Sequence, residues 1–323
     1  MVNVEKARQI AVVGVGGWGK NHARVLHDLG ALAAICDSDE SRSIELARLY
    51  DTNHYSSLDK MLQSESSLDA AVVCTPTKTH FSLAKTIMEK KLHVFVEKPL
   101  AFSSAECEQM IDIARRMGVI LTSGYIERFN PAIQNVKQLI DTRKYGDLIM
   151  MEFHRENRMP SHIRDVGIIY DTSVHDIDTA MYLFNSTPQV VFARSGTKFH
   201  SYEDFATIML GFNDQRVAII ASNWITPNRV RKFSAVCTEG IIEGDYITQG
   251  VKIDHGKATI IPRSDKLQEP LTLEIQGFLD VISGTSLKPL VTAEDATNVT
   301  KIAEAALLSA RTGSPIYLDL KSK

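Results

Sequence analysis

Residues 9–37 restrict the fold more than any other stretch of this chain. Gln9–Val15 is a short Val-rich apolar run, and Gly14-Val-Gly16-Gly17-Trp18-Gly19 closes it; a helical pattern with Val25, Leu26 and Leu29 comes next. A second apolar strand, Ala31–Cys36, leads into Asp37, 18 residues after Gly19. A lone glycine cluster occurs in ordinary turns, but strand, glycine turn, helix and a later carboxylate in this order form the dinucleotide-binding pattern of a parallel sheet. The first glycine permits a tight turn, and the second lets the backbone approach a pyrophosphate. The last lets the helix pack on the sheet with its N-terminal amides toward the phosphates. Gly14, Gly16, Gly17, Trp18 and Gly19 are therefore the expected cofactor loop. Asp37 is expected to accept hydrogen bonds from the adenosine ribose and to repel a 2′-phosphate. Ser38, Asp39 and Glu40 follow it rather than Arg or Lys, which favours NAD.

The alternation continues through the first third. Apolar strands at Asp69–Cys74, Leu92–Val96 and Val119–Thr122 are interleaved with helical patterns at Ser41–Tyr50, Thr79–Lys90 and Ala105–Met117. Strands apolar on both faces, separated by amphipathic helices, indicate a parallel sheet covered on both sides. After residue 123 strand-like stretches dominate from Ile149 to Ile261, punctuated by turns such as Thr226-Pro-Asn and Asp254-His-Gly. Helices are expected at Pro131–Leu148 (with a turn), Asp171–Phe184, Leu271–Ile282 and Ala293–Ala310, and a last strand at Pro315–Leu318. The fold class that follows is an α/β Rossmann domain over residues 1–122, then an α+β domain over 123–323. The second has a mostly antiparallel open sheet with helices on one face, and is expected to bind substrate and the partner subunit.

Composition excludes several classes. Lys and Arg total 36 against 39 Asp and Glu, a formal charge of −3, so nothing marks the chain for nucleic acid or anionic lipid. No apolar run approaches the roughly 18 residues of a membrane span. Cys36, Cys74, Cys107 and Cys237 are too scattered for a disulfide framework or a metal site, and no metal is expected. The polar Met1–Gln9 runs straight into a strand, without the pattern of a signal peptide. A soluble cytoplasmic protein is expected.

Two further segments lie at C-terminal ends of parallel strands, where such sheets bind ligands: Thr75-Pro76 with His80, and Glu97-Lys98-Pro99. Each alone could be a plain turn. Together with the glycine loop and Asp171-Thr-Ser-Val-His175-Asp-Ile-Asp178, they resemble the Gfo/Idh/MocA oxidoreductase family across essentially the whole chain. The resemblance implies an NAD(P)-dependent enzyme acting on a sugar, cyclitol or sugar nucleotide, a homodimer or homotetramer joined through the second-domain sheet. It implies catalytic roles for Lys98, Asp171 and His175. Cofactor contacts are implied for Thr75, Pro76, His80, Glu97, Lys98 and Arg128. Many members carry glycine where this chain has Ser173, which is expected to alter how closely the helix start approaches the cofactor.

Asp171 and His175 stand four apart on the predicted helix and share a face, which Asp178 extends. A carboxylate beside an imidazole orients it and stabilises its protonated form. Alcohol oxidation needs a base for the hydroxyl proton and a donor to the same oxygen; His175 and Lys98 fit, and which of them finally holds the proton is left open. Ile126–Pro131, Arg155 through Arg164, and Asn223–Pro227 resemble the sugar-nucleotide 3-dehydrogenase branch, implying oxidation of UDP-N-acetylglucosamine to its 3-keto form. Arg155, Arg158 and Arg164 would then face the diphosphate, with Lys98 and His175 at the sugar. Those arginines could instead pair with Glu156 and Asp165 or lie at a subunit interface. Other readings are an inositol or free-sugar dehydrogenase, a redox-assisted glycosidase and a non-catalytic NAD-sensing regulator.

Overall fold

The computed structural model describes residues 8–159, 165–256, 258–261 and 267–319. In the first part of the chain, strands and helices alternate. They are β1 (Ile10–Val13), α1 (Gly19–Asp28), β2 (Leu32–Cys36), α2 (Glu40–Tyr50), β3 (Asn53–Tyr55) and α3 (Leu58–Ser64). Then come β4 (Ala70–Val73), α4 (His80–Glu89), β5 (His93–Glu97), α5 (Ser104–Met117) and β6 (Leu121–Gly124). Among the described residues these strands form a parallel sheet of order β3-β2-β1-β4-β5-β6. The order reverses beside β1, so β1 and β4 flank the crevice where such sheets hold a ligand. All of β1 and β4 is buried, as their unbroken apolar runs require. Helix starts follow local chemistry. The Asp39 carboxylate accepts the Ser41 and Arg42 N–H groups at the start of α2, and Ser103 Oγ accepts the Glu106 N–H at the start of α5.

The rest of the chain comprises α6 (Pro131–Asp141), β7 (Leu148–Glu156), α7 (Val174–Phe184), β8 (Val190–Gly196), β9 (Phe205–Gly211), β10 (Val217–Asn223) and β11 (Val230–Cys237). It ends with β12 (Gly240–Asp245), β13 (Gly250–Asp254), β14 (Ala258–Ile261), α8 (Pro270–Ile282), α9 (Ala293–Thr312) and β15 (Ile316–Tyr317). Among the described residues the second sheet runs β14-β13-β12-β11-β7-β10-β9-β8-β15, and every pairing except β7 with β10 is antiparallel. Its strands alternate, apart from a register shift between Val236 and Cys237 opposite the start of β7. Met151, Phe153, Ile208, Leu210, Ala218, Ile220, Phe233 and Ala235 are buried on the face that carries α6 and α7. The opposite face leaves Ile149, Phe205 and Met209 about 42%, 42% and 41% exposed.

Three features differ from the sequence expectation. The expected boundary at residue 122 becomes a division in which residues 1–124 and 271–297 form one compact unit, and 125–270 with 298–323 form the other. The returning segment is tied into the first unit by Thr122 Oγ1, which donates to the Val291 carbonyl at 2.7 Å, and by Phe278 packed edge-on to Phe95. Periodicity identifies such a helix but not the sheet it packs on. β3 and α3 went unread because Asn53-His-Tyr55 is short and polar and carries no apolar signature. The helix expected over Asp171–Phe184 is a π-helical turn, Ile169–Ser173, running into α7.

Candidate active site

The glycine loop fits a dinucleotide. Gly14 has φ +86°, and a Cβ there would stand 2.7 Å from the Thr75 side chain. At Gly19 a Cβ would meet the Gly14 carbonyl oxygen at 1.9 Å, so only glycine lets α1 start this close to the loop. Trp18, which precedes α1, provides no side-chain cap, so no side chain competes with a phosphate at the helix start, although the Asn21 N–H already donates to the Trp18 carbonyl at 2.8 Å. Gly17 and Trp18 are exposed and Gly16 is half-buried beside them. Asp37 is buried at the end of β2. Its Oδ2 accepts the Val15 N–H and its Oδ1 the Asp39 N–H, both at 2.8 Å, and a carboxylate retains lone pairs beyond these for ribose hydroxyls.

A cation that the reading of adjacent residues missed stands next to Asp37. Arg42, one helical turn into α2, brings Nη1 to 3.7 Å from Asp37 Oδ2, while its Nε donates to Asp39 at 3.0 Å. The same Nη1 lies 3.4 Å from where a Gly16 Cβ would be.

His80 and Glu97, expected to face the cofactor, are turned into the first unit. The His80 ring is buried, with Nδ1 2.9 Å from the Pro99 carbonyl oxygen and Nε2 2.8 Å from that of Thr75. It thereby joins the Thr75-Pro76 loop to the turn that carries Lys98. Thr75 Oγ1 accepts from Thr79 at 2.7 Å, and Pro76 is exposed. Glu97 Oε1 is 2.7 Å from Nε2 of His22, a fully buried residue of α1, and its Oε2 accepts the Lys98 N–H at 3.1 Å. Burial pushes the Glu97 carboxyl up, but the hydrogen bond and charge of His22 and the charge of Lys98 outweigh it and hold the group below the usual carboxylate value. Glu97 thus holds the backbone of the half-buried Lys98, which is followed by a cis Lys98–Pro99 bond. His22 was not singled out from sequence. The available signal was a histidine on the apolar side of α1, level with Val25 and Leu26.

In the second unit, Asp171 and His175 remain the half-buried positions of an otherwise submerged segment, as expected. Asp171 lies in the π-helical turn, a distortion that recurs at functional sites. Its Oδ2 accepts the Thr172 hydroxyl at 3.0 Å. The His175 ring meets buried Tyr125 edge-on at 6.4 Å between centroids. Glu203 holds the segment's start, accepting the Ile168 N–H on its carbonyl and the Ile169 N–H on its carboxylate. Ser173 is fully buried and donates to the Ser222 hydroxyl on β10 at 3.0 Å, so its side chain faces the second sheet.

The arginines require corrections. Arg128 was expected at the cofactor. It is 1% exposed, forks onto Asp178 through Nε (2.8 Å) and Nη2 (2.6 Å), and lies over the Tyr182 ring. Asp178, expected on the polar face, is therefore buried. Arg155 was expected at the diphosphate. It is 2% exposed, forks onto Asp176 at 3.0 and 2.8 Å, donates to Glu127 at 2.9 Å and covers Tyr246. Arg155 therefore does not adopt the alternative pairing with Glu156 or Asp165. Arg158 is exposed, and Arg164 lies outside the described residues.

Two outcomes follow. Asp37→Ala removes the ribose acceptor and leaves Arg42 to meet a 2′-phosphate, so fluorescence titration should show weaker NADH binding and a smaller preference over NADPH. An unchanged ratio contradicts the assignment. His22→Ala leaves the Glu97 carboxylate buried without this partner and should cost about 3 kcal/mol in urea unfolding at pH 7. Because the folded-state pKa of Glu97 is depressed, its contribution is present above the unfolded carboxylate pKa and is lost as pH falls through the folded value. The difference between wild type and His22→Ala should therefore shrink in acid.

Comparison with known proteins agrees with this geometry. Residues 8–125 match the model described as "Oxidoreductase family, NAD-binding Rossmann fold" of the GFO/IDH/MocA group, and residues 133–243 match that group's C-terminal domain. UDP-N-acetylglucosamine 3-dehydrogenase of Acidithiobacillus ferrooxidans is 27% identical over 84% of this chain and 88% of its own length. Its solved structure superposes with a TM-score of 0.87 at 24% identity, covering 95% of this chain and 99% of that one. The NAD-dependent scyllo-inositol 2-dehydrogenase of Bacillus subtilis is 28% identical over 98% of both chains. The chain belongs to the Gfo/Idh/MocA family and is an NAD-binding oxidoreductase of the dehydrogenase type.

Proposed function

We propose that this enzyme oxidises a hydroxyl of a sugar nucleotide, with UDP-N-acetylglucosamine converted to its 3-keto form. The observation that carries the substrate is the similarity to the Acidithiobacillus ferrooxidans enzyme over 84% of the chain. Bound NAD supplies the hydride acceptor. The chain's own part is to hold the alcohol and take its proton. Lys98, half-buried on a turn tied down by Glu97 and His80, donates to the substrate oxygen and stabilises the charge that develops there. His175, half-buried on a segment pinned by Ser173 and Glu203, receives the hydroxyl proton, and Asp171 one turn earlier favours the protonated ring. A cyclitol is the second reading, favoured by the inositol dehydrogenase that aligns over 98% of the chain.

Incubation with NAD and either UDP-N-acetylglucosamine or inositol separates the two. The expected result is NADH, and a product two mass units lighter, from the nucleotide sugar. Inositol reducing NAD far better would reject the substrate. Lys98→Ala and His175→Ala should each lower turnover by roughly 10²–10⁴-fold with NADH binding largely retained. Wild-type turnover in either variant would remove that residue from the reaction.

The outer face of the second sheet supports a homodimer or homotetramer. Ile149, Phe205 and Met209 are spread along this face, with Ile219 the cross-strand neighbour of Met209, and the face needs no apolar residues if it meets water. Light scattering at micromolar concentration should give a multiple of 35.9 kDa, and a monomer would contradict the reading.

A further inference from the structure

Correction of Arg155 leaves the substrate's anionic group without its expected partner, and the neighbouring strand offers another. Arg231 on β11 is the direct cross-strand neighbour of Arg155 on β7, and Arg155 in turn is level with Ser222 on β10. Alternation with buried Phe233 and Ala235 puts Arg231 on the inner face, the face of Arg155 and Ser222. Like charges directly opposite each other on a sheet repel. Arg155 is neutralised twice over, by Asp176 and Glu127, and Asp176 also accepts the Tyr246 hydroxyl at 3.2 Å. Arg231 is not. Among the described residues its hydrogen-bond partner is a neutral amide, with Nη2 donating to Asn157 Oδ1 at 3.0 Å. Its Nε is buried with no partner among those residues.

Burial first, then the charges of Arg155 and Arg229, push Arg231 down to about 10 against the smaller opposing pull of Asp176 and Glu127, so it is still a cation at neutral pH. A largely desolvated guanidinium beside two others, with the nearby carboxylates already engaged, is costly to the folded chain unless an anion completes it. Its location suits the reaction. Ser222 holds Ser173, which lies midway between Asp171 and His175. Strand spacing puts the Arg231 backbone about 10 Å from that of Ser222.

We infer that Arg231 is the seat of the substrate's diphosphate, its planar fork closing on phosphate oxygens beside Arg155. The ligand class rests on the function proposed above; the unneutralised guanidinium does not. The test titrates UDP, inorganic pyrophosphate and glucuronate into the full NADH-loaded chain by calorimetry, for wild type, Arg231→Gln and Arg231→Lys. UDP should bind wild type, at least tenfold more weakly to Arg231→Gln and with intermediate strength to Arg231→Lys, with NADH affinity equal in all three. Without UDP, Arg231→Gln should melt no lower than wild type, because removing a repelled charge relieves the fold; a merely structural arginine would lower the melting temperature.

Equal UDP affinity in wild type and Arg231→Gln overturns the inference, as does failure of both UDP and pyrophosphate to bind wild type. Dependence on Arg231 for glucuronate but not UDP assigns a sugar carboxylate instead and also overturns it. Arg231-dependent UDP binding without NADH formation from UDP-N-acetylglucosamine leaves the anion seat standing and rejects the substrate. Oxidation of that sugar with the same KM in wild type and Arg231→Gln does the reverse.

Discussion

Asp176 and Asp178 each hold one buried arginine, and the second unit is organised around those two forks. α7 is submerged on nearly every side, so a carboxylate on it must either be neutralised or be expelled. Arg155 reaches Asp176 from β7, and Arg128 reaches Asp178 from the turn before α6. Each pair is bidentate, which fixes direction as well as distance. Removing one partner of such a pair leaves an uncompensated buried charge and costs about 3–5 kcal/mol. With α7 held at two positions two residues apart, the half-buried places left at its start and in the π-helical turn before it are His175 and Asp171. Charge pairing inside the unit thus decides which polar residues remain for chemistry.

The first unit uses the same device at smaller scale. His22 and Glu97 meet inside it, and the second Glu97 oxygen holds the backbone amide of Lys98. The lysine itself stays half-buried. A carboxylate that sequence alone assigns to the cofactor therefore holds the backbone of Lys98, the proposed donor to the substrate oxygen. Glycine supplies the other constraint. The contacts that a Cβ would make at Gly14 and Gly19 are too short for any other residue, so α1 can start close against the loop.

Much of this was legible in the chain because it rests on local or periodic signals. The glycine loop, Asp37 and the buried parallel strands follow from spacing and apolar period, and the structure has the parallel sheet that those strands predict. Asp171 and His175 were legible for the same reason, although no sequence signal distinguishes a π-helical turn from an α-helical one. Long-range partners were not legible. Arg155, Arg128 and Arg231 look alike in sequence, and only the register of β7 with β11, and the carboxylates of α7 and Glu127, separate the neutralised ones from the one that is not. Arg42 was missed for a related reason: five residues beyond Asp37 in sequence, it returns to it in one helical turn.

The central claim is that hydride leaves C3 of a nucleotide sugar for the nicotinamide. UDP-N-acetylglucosamine carrying deuterium at C3 tests it most directly, with the NADH recovered after turnover and weighed. The account predicts NADH one mass unit heavier and a 3-keto product without the label. Unlabelled NADH, with deuterium retained in the sugar, would contradict it.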